Sequence, residues 1–299
     1  TLANEKDAHP MNLAIFLEQI LNGLIAGSMY ALIGSGIALV YGTMKVLNLA
    51  HGEFYMLGGY FTFYLTVQLG LPFWVAIPLA VLLAFLLGMA IQKLTIEYLI
   101  VRENWAFTTI AATLGLSIVL QNAALLIFGE RFNSVPYYVD GVMVLGDIRL
   151  PWQRVMIFVV ALATIAAMTW LLKYTRLGWS IRATSQDQDA AEVVGIPVRR
   201  VYMICFGLAA ALGALAAAML APISAINPWA GIPILLKGFV VVILGGLGSF
   251  PGAIVGGLLL GVVEAVGVQL TSSEWRDVIS FSLMIAVIWW RPWGLFGKK

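Results

Sequence analysis

Charged residues are scarce in this chain of 299 residues, and their scarcity excludes a protein that folds in water. Asp, Glu, Lys and Arg together make up 11% of the sequence, whereas 61% of the residues are hydrophobic. So little polar surface cannot cover a water-soluble globule of this length. The mean hydropathy of +0.95 therefore predicts a protein whose solvent is a lipid bilayer.

Cysteine is nearly absent, and no run of basic residues stands out. Cys205 is the single cysteine and lies inside an apolar run, so a disulfide framework and a Cys-x-x-Cys metal pair are both excluded. The formal net charge is only +2, and the basic residues stand at the ends of apolar runs. This distribution argues against nucleic acid as a partner, because nucleic-acid-binding proteins gather positive charge in a patch or an arm.

Two motifs for nucleotides and metals are missing as well. No segment fits Gly-x-x-x-x-Gly-Lys-Ser/Thr, the P-loop that holds nucleotide phosphates, and none fits His-Glu-x-x-His. We therefore expect no cofactor and no metal in this chain, and ATP-driven work would need a separate ATPase subunit. The triplet Gly34, Ser35, Gly36 with His51 leaves an intramembrane serine protease as an alternative, although a lone Ser and His define no oxyanion hole.

The sequence does contain a series of long apolar runs. Runs such as 155–172 and 201–221 are apolar on every side, whereas the strands of a membrane barrel alternate apolar and polar residues. We therefore predict an all-α, polytopic transmembrane helical bundle of about eight to nine membrane segments, with broken or re-entrant helices. The predicted segments are 13–40, which crosses either once or twice, and then 55–69, 74–91, 106–128, 155–172, 201–221, 234–247, 253–270 and 278–290.

Polar interruptions define the domain organisation. Residues 1–10 are interpreted as a non-native or disordered leader, and residues 11–299 as one transmembrane domain. The longest interruption, 173–200, carries five basic residues, and the C-terminal tail carries three. The positive-inside rule places both in the cytoplasm, and the even number of apolar segments between them agrees with this. The side of the amino terminus stays undecided.

A polar cluster, NLAHGEF, stands between two apolar runs and contains Asn48, His51 and Glu53. A charged group at the centre of a bilayer costs about 2.5 to 3.5 kcal/mol on insertion scales, so such a group usually faces a cavity or a partner. We therefore predict that these three residues line a substrate pathway. An ordinary interfacial loop is the alternative.

Glycine-dense stretches occur in both halves of the chain, at 34–59 and at 245–257. Apolar segments broken by Gly or Pro in corresponding positions of two halves indicate a binding site near the middle of the membrane. On this argument the second stretch also lines the pathway, through Gly245, Gly246, Gly248 and Ser249. Close packing of helices through small residues explains any single glycine equally well.

Two opposite charges, Lys237 and Glu264, are each embedded in an apolar run. In the predicted topology both lie near the outer ends of adjacent segments, so we predict a structural ion pair between them. The alternative is that each side chain extends separately to the interface.

The polar interruption itself contains a candidate interaction helix. Leu177, Gly178 and Trp179 are expected to break the preceding helix, and 180–194 fits a short amphipathic helix that Gly195 stops. Such a helix on the cytoplasmic side suits insertion into a groove of a partner protein, whereas a loop on the lipid headgroups is the alternative. The residues expected to contact the partner are Arg182, Ala183, Gln186, Asp187, Asp189, Glu192 and Gly195.

Several long motifs, in one order, resemble a known family. They are NGLIAGSMYALIGSGIALVYG, LNLAHGEFYMLGGY, TRLGWSIRATSQDQDAAEVVGIPVRRV, INPWAGIPILLKGF, VVILGGLGSFPGAIVGGLLLGVVEA and RPWGLFG. Over residues 11–297 the chain is similar to the membrane permeases of ABC transporters for branched-chain amino acids. Relatives of that family carry urea, short amides and other hydrophobic or aromatic acids.

This resemblance implies a complete transport system in a bacterial inner membrane. A second related permease subunit, two cytoplasmic ATPase subunits and an extracellular or periplasmic binding protein would be the partners, with ATP bound by the ATPases. The loop 173–200 would contain the coupling helix that docks on an ATPase. The implied function is import of branched-chain or related amino acids by alternating access. Import of urea, amides or aromatic acids, and a secondary carrier or channel that needs no ATPase, are the alternatives.

Overall fold

The computed structural model describes residues 13–100, 105–145 and 148–297, so the predicted leader lies outside the described residues. Most of the described residues are helical, as predicted. The helices are α1 (Leu13–Met44), α2 (His51–Phe63), α3 (Phe73–Ile91), α4 (Glu97–Ile100), α5 (Trp105–Phe128), α6 (Trp152–Tyr174), α7 (Arg176–Gln186), α8 (Gln188–Val193), α9 (Val198–Leu220), α10 (Gly231–Gly245), α11 (Phe250–Leu270) and α12 (Arg276–Trp290). Two π-helical segments, Tyr64–Gln68 and Gln92–Ile96, extend α2 and join α3 to α4.

Six of the described helices are long and apolar enough to cross a membrane. The candidate spans are Phe16–Met44, Phe73–Leu99, Phe107–Phe128, Trp152–Tyr174, Val198–Leu220 and Phe250–Leu270. Helices α10 and α12 have only 15 residues each, whereas a crossing needs about 20. Helix α2 reaches 18 residues with its π-helical extension, but it is not among the candidate spans. The structure therefore supports a multi-pass membrane protein, but it does not confirm the predicted eight to nine segments.

The first apolar run forms one continuous helix, which settles the choice between one crossing and two. Helix α1 runs through Gly34 and Gly36 without a break and ends at Met44. A Cβ atom at Gly34 would collide with Val241 of α10, and a Cβ atom at Gly36 would collide with the ring of His51. These glycines therefore make room for neighbouring elements, and they do not interrupt the helix as the sequence pattern indicated.

Helix α1 packs most closely against α11, through glycines on both helices. A Cβ atom at Gly27 would lie 2.8 Å from the carbonyl oxygen of Gly257, and a Cβ atom at Gly23 would lie 2.8 Å from that of Gly261. Both distances are too short for a real carbon atom, so only glycine permits this backbone approach. The two helices form a tightly joined pair on which the remaining helices are arranged.

Helix α9 occupies the centre of the bundle and packs against α1, α2 and α3. Its sequence, rich in Ala and Gly, suits this position because small side chains let three neighbouring helices approach at once. Ala209, Ala210, Ala214 and Ala218 are all 1% exposed or less. A Cβ atom at Gly58 of α2 would lie 2.6 Å from the Cβ atom of Ala214, which shows how close the approach is.

The polar helices α7 and α8 lie at the same end of the bundle as the C-terminal tail. Thr43, in the last turn of α1, donates to Cys205 Sγ (3.6 Å) near the start of α9, which follows α8. Gly42 of α1 also packs against Gly248. The tail reaches the same place, because the N–H of Phe296 donates to the carbonyl oxygen of Gly245 (2.9 Å). The two segments that the charge pattern assigns to one side are thus together.

The opposite end of the bundle carries the connection between α5 and α6, which contains the hairpin formed by β1 (Val142–Leu145) and β2 (Ile148–Pro151). The Tyr138 hydroxyl donates to the carbonyl oxygen of Ala218 (2.9 Å). Asn133 exchanges two backbone hydrogen bonds with Ile226, of 2.9 and 2.8 Å. The connection is therefore tied to α9 and to the chain that follows it.

The contact between α1 and α11 generates a prediction. In Gly27→Ala the added methyl would meet the backbone of Gly257, and we expect the free energy of unfolding to fall by about 1 to 3 kcal/mol. Gly115→Ala on α5 is the matched control, because nothing lies within 4 Å of its Cβ position and alanine favours the helix. The thermal midpoint of the protein in detergent, followed by size-exclusion chromatography, measures both changes. Equal midpoints for the two variants would contradict the close approach.

Candidate functional site

The predicted pathway residues Asn48, His51 and Glu53 lie at the start of α2, inside the bundle. The sequence placed this helix at 55–69, but it begins at His51. The three side chains are 5%, 1% and 1% exposed, which does not fit an interfacial loop. The Asn48 side chain folds back to accept from the N–H of Ala50 (3.0 Å), and the N–H of Leu49 donates to Thr113 Oγ1 on α5 (3.2 Å).

His51 occupies a niche between α1 and α9. A Cβ atom at Gly36 would lie 2.7 Å from His51 Cε1, and one at Gly213 would lie 3.9 Å from Nε2. Within the described residues, neither ring nitrogen makes a hydrogen bond of normal geometry, although the carbonyl of Ile33 is near the ring. Polar groups buried without partners are rare in folded proteins and call for an explanation, such as a ligand or water that passes by.

Glu53 lies where the amino termini of two short helices meet. Its Oε1 accepts from Ser117 Oγ on α5 (2.8 Å), and its Oε2 has no partner among the described residues. A Cβ atom at Gly231, the first residue of α10, would lie 2.7 Å from Oε1. Gly52 packs against the same residue, so only glycines permit the contact.

Neither Ser117 nor Gly231 was expected at this site. Both lie in apolar stretches far from His51 in the chain, and Gly231 lies three residues before the predicted start of its segment at 234. A signal did exist, because the Pro228 to Pro233 stretch is typical of the beginning of a helix.

The second predicted pathway segment, Gly245 to Ser249, forms the tight turn between α10 and α11. Gly246 and Gly248 have φ angles of 102° and 78°, which glycine adopts without strain. Ser249 begins α11, since its Oγ accepts from the N–H of Gly252 (3.1 Å). Gly246 packs against Gly297 of the tail. The turn lies at the tail end of the bundle, apart from the start of α2, and it does not line the cavity at the opposite end.

The predicted coupling segment contains two helices where the sequence indicated one. Leu177, Gly178 and Trp179 were expected to break a helix, but they lie inside α7, whose start is capped by Thr175 (Oγ1 to the N–H of Gly178, 3.1 Å). The preceding helix α6 is broken two residues earlier than predicted, at Thr175. A second break lies at Asp187, whose side chain accepts from the N–H of Ala190 (3.0 Å) and so begins α8. An Asp in this position stabilises a helix start, which explains the second helix.

The stop at Gly195 is where the sequence placed it. Gly195 has a φ of 85°, its N–H donates to the carbonyl oxygen of Glu192 (2.9 Å), and the N–H of Ile196 donates to that of Ala191 (3.0 Å). This pair of hydrogen bonds is the usual glycine termination of a helix.

Most of the predicted coupling residues are exposed. Ala183 is half-buried, and the exposed members of the set are Arg182, Gln186, Asp187, Asp189, Glu192 and Gly195. Val193 and Val194 are apolar, yet they are 87% and 74% exposed. Charged and apolar side chains therefore share one accessible face, which we call the α7–α8 surface (residues 182–195).

The α7–α8 surface is attached to the transmembrane helices through specific contacts. The hydroxyl of Tyr202 on α9 donates to Gln188 Oε1 (2.7 Å). Ile181, Thr184 and Ala191 are buried beneath the surface, and Trp179 Nε1 donates to the carbonyl oxygen of Lys173 at the end of α6 (3.1 Å). A displacement of this surface would therefore act on α6 and α9.

Lys237 of α10 and Glu264 of α11 form an ion pair inside the bundle, in which Lys237 Nζ donates to Glu264 Oε1. The two residues are 9% and 4% exposed, so they do not extend to the interface separately. Lys237 Nζ also lies 2.6 Å from Ser280 Oγ and 2.9 Å from Asp277 Oδ1 on α12. Glu264 Oε2 accepts from the hydroxyl of Tyr30 on α1 (2.9 Å). The pair thus joins four helices.

A cavity of about 570 Å³ opens at the end of the bundle opposite the α7–α8 surface. Tyr55 of α2, one helical turn beyond His51, lines it together with the first turn of α6 and the end of α9. Arg154 and Arg276 also line it, and the sequence analysis missed both. Each stands at the border of an apolar run, where an arginine usually marks nothing more than the membrane interface.

Comparison with known sequences adds evidence of a different kind. Residues 19–288 match the model of a family described as branched-chain amino acid transport system / permease component. The permease protein BraD of Pseudomonas aeruginosa and LivH of Escherichia coli K12 are each 34% identical to 95% of this chain, over 96% of their own lengths. LivM of the same Escherichia coli strain is 27% identical over 89% of this chain and 67% of its own length. All three are named high-affinity branched-chain amino acid transport system permease proteins.

The buried ion pair generates a prediction for a double-mutant cycle. Lys237→Met leaves Glu264 buried without its cation, and Glu264→Gln leaves the ammonium without its main partner, so we expect each to lower the free energy of unfolding by about 3 to 5 kcal/mol. The double variant should lose much less free energy of unfolding than the two single variants lose together. Thermal unfolding in detergent measures the four proteins.

The control cycle uses Arg199 and Glu97, whose side chains lie 3.4 Å apart with the arginine 71% exposed. An exposed pair contributes about 0 to 1 kcal/mol, so a coupling as large as that of the buried pair would contradict the assignment.

Proposed function

The chain belongs to the family of permease components of branched-chain amino acid transport systems, and we propose that it imports branched-chain or related hydrophobic amino acids across the bacterial inner membrane. As a member it is a permease subunit of an ABC importer. The observation that carries the proposed substrate is the 34% identity to BraD and LivH over 95% of the chain.

The proposed importer contains further subunits. A LivM-like permease is the proposed pair partner, because the chain is similar to LivH over nearly its whole length and more distantly to LivM. Two ATPase subunits in the cytoplasm would bind ATP, which this chain has no P-loop to hold. A binding protein would deliver the amino acid from outside. The basic residues at the tail end support a cytoplasmic C terminus.

The α7–α8 surface is the proposed docking site for an ATPase. Exposed charges with Val193 and Val194 between them fit a groove that offers both polar and apolar contacts. Because α6 leads directly into α7, and α9 follows α8 after four residues, movement of the docked surface would tilt both transmembrane helices. Helix α9 packs against α1, α2 and α3, so the tilt would reach the interior.

The proposed pathway begins at the cavity and continues past the start of α2. Tyr55 lines the cavity, and His51 lies one turn deeper on the same face of the helix. Asn48, His51 and Glu53 would offer polar contacts to a passing amino acid, since each has an unpartnered polar atom among the described residues. The Gly245 to Ser249 turn would belong to the closed inner end.

Reconstitution tests this function. In proteoliposomes that contain this chain, a LivM-like permease, the ATPases and the binding protein, we expect uptake of leucine that stops without ATP. Replacing Arg182, Asp187 and Glu192 with Ala should reduce both uptake and copurification of the ATPases by about tenfold or more, because these exposed side chains form the proposed contact. Uptake by this chain alone, driven by an ion gradient, would refute the proposal.

The control for the coupling variant is a second triple replacement, of Glu130, Arg131 and Asp140 with Ala. These residues are equally exposed but belong to the connection at the opposite end, so the ATPases should still copurify. Equal loss of the ATPases in both variants would mean that the α7–α8 surface is only a connector.

His51→Leu separates a pathway role from a packing role. The change removes two buried ring nitrogens that make no hydrogen bond of normal geometry within the described residues, so the thermal midpoint should not fall, while leucine uptake should drop about tenfold or more. Tyr60→Phe on the same helix is the control, since the Tyr60 hydroxyl is also buried without a partner. A stable His51→Leu protein with normal uptake would remove His51 from the pathway.

A further inference from the structure

The cavity opposite the α7–α8 surface is large enough and polar enough to hold a ligand. Its volume of about 570 Å³ falls within the usual range of small-molecule sites, about 300 to 1,000 Å³. Six helices besides α2 contribute to its wall. It is therefore a space that opens or closes when these helices move relative to one another.

Among the charged side chains that line the cavity, the carboxylate has a described partner of opposite charge and the arginines do not. Three line it, namely Arg154, Arg276 and Glu264. Glu264 is already occupied, because it accepts from Tyr30, Lys237 and Ser280. Neither arginine forms an ion pair with a described carboxylate. Asp277, which also contacts Lys237, is 72% exposed and does not line the cavity.

Arg154 is held in position. Its Nη1 donates to Asn22 Oδ1 on α1, which uses one of five N–H donors of the guanidinium. The side chain is half-buried at the start of α6. A fixed guanidinium with free donors beside a cavity is suited to a carboxylate, which it can bind through two parallel hydrogen bonds.

Apolar side chains line part of the remaining wall, beside polar ones such as Gln19, Tyr55 and Ser224. Ile25 and Met29 of α1 face the cavity together with Leu220, Ile234 and Val268. A ligand that bears a carboxylate at one end and a branched hydrocarbon at the other would match both parts. Urea and short uncharged amides offer neither a charge for the arginines nor an apolar tail.

We propose that this cavity is the outer binding site of the permease for the carboxylate of its substrate, with Arg154 as the principal ligand and Arg276 as a second cation. This proposal rests on the proposed function because it takes the substrate to be a branched-chain or related hydrophobic amino acid. In chemical terms it restricts the cargo to hydrophobic monocarboxylates.

The test measures binding of radiolabelled leucine to the purified complex of this chain, the second permease and the ATPases, without nucleotide or binding protein. We expect unlabelled leucine and 4-methylpentanoate, which keeps the carboxylate, to compete, and leucinamide and urea to compete at least tenfold less well. Arg154→Gln should weaken leucine binding by about 10- to 100-fold. The affinity of Arg154→Lys for leucine should lie between that of the wild type and that of Arg154→Gln.

Arg149→Gln is the matched control, since Arg149 is exposed on β2 at the same end and does not line the cavity. It should bind leucine as the wild type does. If Arg154→Gln fails to assemble, Arg276→Gln provides the same comparison and should weaken binding in the same direction.

The outcomes separate this proposal from the proposed function. The carboxylate site would be overturned if both arginine variants bound leucine as the wild type does, or if leucinamide competed as well as leucine. ATP-dependent uptake of leucine would be unaffected by either result, so the proposed function would remain. If the wild-type complex instead carried an aromatic acid and Arg154→Gln abolished its binding, the carboxylate site would be supported and the proposed substrate would be wrong. Uptake of urea alone would overturn both.

Discussion

Close packing of α1 against α11 sets the distances on which the rest of the bundle depends. Lipid tails solvate apolar side chains about as well as protein does, so helices in a bilayer associate mainly through close contact. Gly23 and Gly27 remove the side chains that would hold the two backbones apart. Because α1 also packs against α9 and α10, the same helix positions the niche of His51 and one wall of the cavity.

This packing also decides where charge can be placed. The approach of α10 and α11 to α1 brings Lys237, Glu264 and Tyr30 into one network, and α12 adds two more polar partners. A buried charge is tolerable only when it is paired and hydrogen-bonded. Pairing neutralises Glu264, and the cations at the cavity are then left without a counter-charge from the described residues.

Features that depend on one segment were predictable, and most features that depend on distant contacts were not. Helices α5, α6 and α9 follow from their apolar runs, and the stop at Gly195 from local chemistry. The pairing of Lys237 with Glu264 could be predicted because few charges compete in lipid. Gly34 and Gly36 misled the prediction, since glycine marks both a broken helix and a close contact. Only the remote residues that these glycines contact, Val241 and His51, show that here they mark close contacts and not a broken helix.

The helices that would receive force from the ATPase are also the helices that carry the cavity. Helix α6 carries Arg154 in its first turn, at the cavity, and ends beside α7. Helix α9 runs from α8 to Leu220 at the cavity wall. A helix is stiff over this length, so a tilt imposed at one end moves the other end. Arg154 is also bound to Asn22 of α1, the helix held most firmly by α11. Tilting α6 would therefore strain this link, and on the proposed function the binding of a carboxylate and its release inward would be two stages of one movement.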